Sequence, residues 1–229
     1  MKLSTVDVAL MAVFAALQAI LSYLPFTIAA GVPGGFITLG VIGGSLIGVL
    51  LGPVVGGAAV LIGSLVGVFV NPPGAILGIF TIIPPSAGAF GAGCIRINRG
   101  YLAGAVILVS LAVFYANPLA RQAYLFPWLQ IVAMIIAFSP IARVAGSTFK
   151  STEPKATFGI ALASFIGVMT DHATGSAIGA WYLSLSPEIW NIILPIYPFE
   201  RSVAFVVITI IAVPVYSSLK RMGILKLDK

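Results

Sequence analysis

Charged side chains are so scarce in this sequence that they restrict the kind of fold the chain can adopt. Only 8% of the 229 residues are Asp, Glu, Lys or Arg, whereas 60% are hydrophobic, and the mean hydropathy is +1.13. A soluble domain carries about a quarter charged residues, which keep its surface hydrated. We therefore expect residues 1–229 to form a single integral membrane domain.

The apolar residues come in long runs and do not alternate with polar ones. A transmembrane barrel would need segments of about ten residues that alternate in polarity, whereas a helix satisfies its own backbone within one apolar run. The sequence thus predicts an all-α, polytopic helical bundle. Because there is one cysteine, Cys94, and one histidine, an intrachain disulfide, a Cys-pair metal site and a multi-histidine zinc site are excluded, and we expect no cofactor.

Proline, glycine and charge clusters divide the chain into apolar segments that suit membrane spans of about 17–25 residues. The first apolar run is longer than the hydrophobic part of a signal peptide, usually about 7–15 residues, and we interpret it as a retained helix. The eight candidate segments are residues 5–24, 36–51, 53–70, 76–95, 101–116, 126–142, 157–183 and 199–219. Since 36–51 and 101–116 are short, six to eight of the segments cross the membrane fully.

The basic residues orient these segments, because loops rich in Lys and Arg stay on the cytoplasmic side. With both termini inside, 10 of the 12 Lys and Arg residues fall in inner segments, and only Arg121 and Arg201 fall outside. The pattern predicts a multi-pass protein of the cell membrane with cytoplasmic termini. The net charge of +6 is then a topology signal and does not indicate nucleic-acid binding.

Small residues recur at helical spacing in two places. Gly40, Gly44, Gly48, Gly52 and Gly56 are spaced by four, which allows another helix backbone to approach closely. For most of these glycines the simpler interpretation is packing within the chain.

The first segment carries Ala12-x-x-x-Ala16 on a stripe of alanines. This stripe is either an internal packing face or a smooth docking face for another membrane subunit.

These motifs together resemble a known family. Four parts of the chain carry the resemblance: the first segment with Ala12 and Ala16, the loop from Pro25 to Gly35, the hairpin LGVIGGSLIGVLLGPVVGGAAVLIGSLVG and the final PIYPFERSVAFVVITIIAVPVYSSLKR. They are similar to the substrate-binding S components of energy-coupling factor (ECF) transporters. The resemblance covers roughly residues 1–95 and 157–221. Family members usually have six spans, so either this chain has an extra helical hairpin near 101–142 or fewer of its segments cross the membrane in that region.

The resemblance implies a subunit that captures a vitamin or related micronutrient from outside. Such a subunit passes its cargo inward with a transmembrane coupling subunit and ABC-type ATPases, and Ala12 and Ala16 match the alanine motif that faces the coupling subunit. The chain has no G-x-x-x-x-G-K-[ST] loop to cradle ATP phosphates, so any ATP-driven step would depend on those partners. No enzyme activity is expected.

Asp171 and His172 lie inside the seventh apolar segment, near mid-depth in the eight-span arrangement. Burying a charge there costs about 2.5–3.5 kcal/mol on insertion scales, so such residues usually face the bundle interior and often have a function. Neighbouring residues on a helix point about 100° apart, so each side chain needs its own partner. Interhelical hydrogen bonds, contact with a ligand, and a proton relay remain open as roles.

The outer loops carry further candidate substrate-binding residues. Aromatic rings there form either a belt at the lipid headgroups or a stacking surface for a flat ring. The candidates between the seventh and eighth segments are Trp181, Tyr182, Trp190, Tyr197, Glu200 and Arg201. Asn71, in the loop after the third segment, lies where the family carries a lid over its site.

Two other kinds of function remain possible from the sequence. A stand-alone secondary transporter could couple a proton at Asp171 or His172 to its cargo, although it should show internal repeats with broken helices. Only Pro84-Pro85 supplies such a break. A scaffold for a larger complex is the least specific alternative.

Overall fold

The computed structural model describes residues 3–151 and 153–225, except for the side chain of residue 153. Most of that stretch is helical. The α-helices are α1 (Thr5–Leu21), α2 (Gly40–Leu51), α3 (Pro53–Val70), α4 (Ile83–Arg96), α5 (Gly100–Ala116), α6 (Trp128–Phe138), α7 (Pro140–Thr148), α8 (Glu153–Tyr182), α9 (Pro187–Ile193) and α10 (Tyr197–Arg221). Short 3₁₀ turns cover Pro72–Gly74, Gly78–Ile82 and Ala120–Gln122. The all-α class predicted from the sequence is confirmed.

Each predicted apolar segment corresponds to a helix or a helix pair. In the described part of the chain, four helices are long and apolar enough to cross a membrane: Pro53–Val70, Gly78–Arg96, Pro154–Tyr182 and Tyr197–Arg221. Thr5–Leu21, Gly40–Leu51 and Gly100–Ala116 are apolar but shorter. These helices are consistent with a membrane protein.

The sixth predicted segment, residues 126–142, is not one continuous helix. It forms α6 and α7, which bend by 70° where they meet. Ser139 lies at the bend in an extended conformation, and its hydroxyl accepts a hydrogen bond from the Ile141 amide at 3.2 Å. Because Pro140 follows, the chain cannot continue the α6 hydrogen-bonding pattern through this point.

A small β-hairpin replaces the loop expected between the first two segments. Strands β1 (Pro25–Ile28) and β2 (Phe36–Thr38) pair antiparallel, so α2 begins at Gly40 and not at residue 36. Both strands are rich in aromatic and β-branched residues, which favour extended structure. Gly31 and Gly34 adopt positive φ values of 80° and 70° in the connection, where glycine is the least strained residue.

The glycine pattern of α2 packs the bundle internally, as the simpler interpretation of the sequence predicted. A Cβ at Gly44 would lie 2.6 Å from the Pro85 carbonyl oxygen, and one at Gly48 would overlap the Ala89 backbone, so α2 and α4 touch backbone to backbone. A Cβ at Gly167 would lie 3.0 Å from the Gly88 carbonyl oxygen, which brings α8 equally close to α4. Long helix α8 also contacts α2, α5, α6, α7 and α10, and is the centre of the bundle.

The loops separate into two groups at opposite ends of the bundle. Residues 25–38, 71–77 and 183–196, which overlap the loops predicted to lie outside, meet at one end. At the other end Lys220 donates hydrogen bonds to the carbonyls of Phe149 and Ser151, at 3.2 and 2.9 Å. The Arg96 guanidinium lies there too, 5.7 Å from the Tyr216 ring centroid.

Helix α1 packs one face on α3 and leaves the opposite face uncovered. Ala15 is buried, and a Cβ at Gly63 would overlap its carbonyl oxygen. Ala12 and Ala16 are exposed, next to Val13, whose side chain is 65% exposed. The alanine motif is therefore not used for packing within the chain.

Candidate functional site

A partly enclosed cavity of about 440 Å³ lies at the end of the bundle where loops 25–38, 71–77 and 183–196 meet. Its volume falls in the range of about 300–1,000 Å³ that is typical of small-molecule sites. The lining is mainly apolar, with a few polar and charged side chains, a composition that such sites share.

The β-hairpin covers one side of the cavity. Both strands and their connection contribute lining residues, and the Thr27 hydroxyl donates a 2.6 Å hydrogen bond to Glu200 at the start of α10. At the tip, a Cβ added to Gly31 would lie 2.9 Å from Ile189 of α9. The hairpin thus closes against α9 and α10, the elements that carry the predicted outer-loop residues.

Asp171 and His172 reach the cavity from the middle of α8. The next two glycines along this face, Gly175 and Gly179, also line it, and their nearest neighbours would be 3.6 and 3.8 Å from an added Cβ. An added methyl group at either glycine would therefore be in ordinary van der Waals contact, with Pro84 at Gly175 and with Leu77 at Gly179. A ligand at this position would lie directly beside the ionisable pair.

The charged side chains in the cavity have unused hydrogen-bonding atoms. Asp171 and Arg201 are 5% and 3% exposed and interact electrostatically. Within the described residues, Asp171 Oδ2, Arg201 Nε and Nη1, and His172 Nε2 are buried without a hydrogen-bond partner. Leaving buried polar atoms unpaired is costly, about 1–3 kcal/mol for each group. The arrangement is suited to a ligand that supplies both donors and acceptors.

Aromatic rings form the wall beside these charges. The His172 ring stacks on Tyr197 with centroids 4.6 Å apart and an interplanar angle of 27°. Phe126 lies 5.1 Å from Tyr197 and 4.8 Å from Trp190. Trp190 is 4% exposed, and its Nε1 has no partner among the described residues. The Phe126 ring is tilted by 51° from the Tyr197 ring and by 62° from the Trp190 ring, so this wall presents both faces and edges of aromatic rings.

The region of the predicted extra hairpin, 101–142, contributes to the cavity. It supplies Phe126 and fixes Tyr197, whose hydroxyl lies 2.8 Å from the Phe126 carbonyl oxygen and 3.2 Å from Gln130 Oε1. The Tyr197 hydroxyl oxygen also accepts a hydrogen bond from the Leu129 amide at 3.3 Å. Phe126 of the predicted insertion is therefore part of the cavity wall, and residues 129 and 130 support that wall.

Seven of the nine substrate-binding residues predicted from the sequence line this cavity. They are Asn71, Asp171, His172, Trp190, Tyr197, Glu200 and Arg201. Trp181 and Tyr182 lie outside it, 53% and 52% exposed, and the Trp181 indole donates to the Val113 carbonyl at 3.0 Å. Their surface positions are typical of an aromatic belt. Direct contact of the other seven with a ligand stays a prediction.

Asn71 has a clear structural role. Its amide nitrogen donates to the carbonyls of Ser22 and Tyr23, at 3.0 and 3.2 Å, and so ties the end of α1 to the loop after α3. Asn117, in the inserted region, similarly donates to the Ala180 carbonyl at 2.9 Å. Both asparagines hold loops in place with the nitrogen of their side-chain amide.

Gln18 was not singled out from the sequence. It is fully buried behind the cavity wall, and its amide nitrogen donates to the Gly40 carbonyl at 3.2 Å and to the Ser64 hydroxyl at 3.1 Å. Gly40 and Ser64 line the cavity, so Gln18 joins α1, α2 and α3 at this point. A sequence signal did exist, because Gln18 is the one polar side chain in α1 beyond the first turn.

Glu188 is an acidic residue close to the cavity. It is exposed at the start of α9, and a hydrogen bond from the Ser186 side chain lowers the pKa of its carboxyl. Glu188 does not line the cavity.

In residues 3–151 and 153–225 no three His, Cys, Asp or Glu side chains form a group that could hold a metal ion.

Comparison with known proteins gives one informative match. The chain is 30% identical over 160 residues to an uncharacterized protein of Methanocaldococcus jannaschii. The match covers 70% of this chain and 54% of the relative, so the chain spans about half the length of that protein. No known family matches the chain. No solved structure matches it.

Proposed function

We propose that this protein is a membrane-embedded substrate-binding subunit that takes up a vitamin or related micronutrient together with a separate coupling subunit and ATPases. The observation that carries the proposal is the cavity at the loop end of the bundle, where buried Asp171, His172 and Arg201 have unpaired polar atoms. A cavity that only filled space in a helical bundle would be lined by apolar atoms.

The arrangement of the two ends supports this direction of binding. The cavity lies at the end that carries few basic loops, which the positive-inside rule places outside the cell. The opposite end gathers Arg96 and Lys220 and would face the cytoplasm, with both termini. A solute would therefore enter the cavity from the exterior.

The uncovered face of α1 supports a partner subunit. In a bilayer an apolar face can simply contact lipid, but Ala12 and Ala16 also make it smooth enough for close helix packing. This is the face that the resemblance to S components assigns to the coupling subunit. Helix α1, which carries this face, is joined to the cavity wall by the hydrogen bonds of Gln18 to Gly40 and Ser64.

Binding and assembly can be tested separately. The protein is purified in detergent, molecules retained through purification are identified by mass spectrometry, and binding is measured by calorimetry against a panel of vitamins and small metabolites. It is then co-expressed with an ECF coupling subunit and ATPases to look for a stable complex. Submicromolar binding together with a complex supports the proposal.

Two results would contradict it. If no molecule is retained and no member of the panel binds, the cavity is not a substrate site. If the isolated chain drives proton-coupled uptake into liposomes, the protein is a secondary transporter, and Asp171 and His172 become candidates for proton coupling.

A further inference from the structure

We propose that the cavity selects a neutral or singly cationic flat heterocycle whose polar edge forms hydrogen bonds with both Asp171 and Arg201, and that it rejects phosphorylated solutes. This inference rests on the proposed function, which leaves the cargo undefined. It is carried by the unpaired atoms of these two side chains, the formal charge of the lining and the ring surfaces beside them.

The Asp171 and Arg201 side chains define a polar pair with a gap between them. They interact electrostatically, yet no direct ion pair joins them in the described part of the chain, and each keeps unpaired buried atoms. A carboxylate accepts hydrogen bonds, whereas a guanidinium only donates them. One ligand edge that carries a donor next to an acceptor, as in an amidine or lactam group, would satisfy both side chains.

The formal charge of the lining residues disfavours binding of anionic solutes. The ionisable groups are two carboxylates, Asp171 and Glu200, against one guanidinium, Arg201, so the lining has a formal charge of −1 with His172 neutral. A phosphate monoester brings about −1.5 to −2 charges. Arg201 would have to neutralise it alone, at low dielectric, in the field of both acids. A neutral or singly cationic solute meets no such repulsion.

The cavity walls favour a flat molecule. Aromatic rings of Phe126, Trp190 and Tyr197 line one wall, and rings prefer to stack on or meet one another edge to face. Gly175 and Gly179 keep the adjoining α8 surface free of side chains. With about 440 Å³ available, a molecule of one or two fused rings fits.

The wild-type protein provides the first test, because ligand selectivity needs no substitution. Binding to the full chain in detergent is measured for neutral heterocycles that have a donor–acceptor edge: adenine, hypoxanthine, cytosine and pterin. Comparison probes remove one feature at a time. Indole lacks the acceptor, tryptophan adds a zwitterion, and adenosine paired with adenosine 5′-monophosphate isolates the phosphate.

Two variants then test the residues. Asp171→Asn keeps the shape of the side chain, and Arg201→Gln removes the guanidinium. Each should weaken binding of the tightest heterocycle by roughly tenfold to a hundredfold, the effect of losing a hydrogen bond to a charged group. The matched controls Glu188→Gln and Arg121→Gln change exposed charges near the same end of the bundle and should leave affinity unchanged. Monodispersity and helix content show that each variant is folded.

The results distinguish a failure of this inference from a failure of the proposed binding function. Tightest binding by an edge-bearing heterocycle, at least tenfold weaker binding by the phosphate ester than by its nucleoside, and loss in both variants support it. If a phosphorylated or wholly aliphatic solute binds more tightly, or if a folded Asp171→Asn variant retains full affinity, the inference is wrong while the proposed binding function stands. If no solute of any kind binds, the proposed function itself fails.

Discussion

Replacing Tyr197 by phenylalanine tests how the inserted helices are held to the rest of the bundle. The side chain is fully buried, and its hydroxyl is the contact point between α10 and the start of α6. Phenylalanine keeps the ring, so the stacking on His172 remains while the hydrogen bonds are lost. We expect the inserted region to loosen without collapse of the cavity wall.

The size of the effect follows from the bonding. The hydroxyl has one hydrogen, so it serves either the Phe126 carbonyl at 2.8 Å or Gln130 at 3.2 Å, and it also accepts from the Leu129 amide. Hydrogen bonds between membrane helices contribute about 0.6 kcal/mol on average and at most about 1.7 kcal/mol. One donated and one accepted bond together give a loss of about 1–2 kcal/mol in unfolding free energy.

Two measurements check this value. Unfolding in mixed micelles of mild detergent and SDS gives the free energy, followed by tryptophan fluorescence, to which Trp190 beside Phe126 contributes. Hydrogen exchange shows whether the Leu129 amide loses protection. Tyr124→Phe is the matched control, because Tyr124 lies in the same inserted region and is 66% exposed.

The reasoning is refuted if Tyr197→Phe unfolds like the wild type and like Tyr124→Phe. The hydroxyl would then contribute nothing to stability, and other contacts would hold the inserted helices. A loss above about 4 kcal/mol would also contradict it, because two hydrogen bonds cannot supply that much.

Three further changes test other parts of the structure. Gly48→Ala should lower stability by about 1–3 kcal/mol, because its Cβ would overlap the α4 backbone; Gly57→Ala, where nothing lies within 4 Å, should not. Equal unfolding curves for these two variants would contradict the close α2–α4 contact. Thr27→Val should speed ligand release and protease cleavage within residues 25–38, since it removes the bond from the hairpin to α10; unchanged rates of both would mean that the hairpin closes by other contacts. Combined Ala12→Trp and Ala16→Trp should spare binding and abolish assembly and uptake, and uptake that survives would remove the docking role of this face.

Most helix positions were predictable because they depend on local composition. Apolar runs interrupted by Pro, Gly and charge locate membrane helices, since each must satisfy its backbone within one segment. α3 matches its predicted bounds, and α5 starts one residue early. The differences have two causes. The β-hairpin depends on pairing between two strands, which composition does not show. The α6–α7 bend is local and follows from Ser139 and Pro140, a signal that the sequence carries.

The candidate site was only partly predictable. Ionisable residues within apolar segments stand out, so Asp171 and His172 were found, whereas Arg201 was found among the aromatic residues of an outer loop. Gln18 and Thr27 were missed because polar residues of that kind are common and their importance comes from distant partners, Ser64 and Glu200. Trp181 and Tyr182 were grouped with Trp190 by sequence proximity, but the end of α8 turns them to the surface.

The sequence by itself predicted the all-α fold from its long apolar runs. It also indicated a membrane protein, because about one residue in twelve is charged, which is too few to hydrate a water-facing surface. It also identified the few charged residues within apolar segments as candidates for a function, because burying a charge there costs free energy. Only the tertiary structure decided that Asp171 on α8 and Arg201 on α10 share one cavity, closed by a hairpin from the other end of the sequence. Such proximity depends on how helices pack against one another, and helix packing is set by side-chain contacts among segments far apart in the chain.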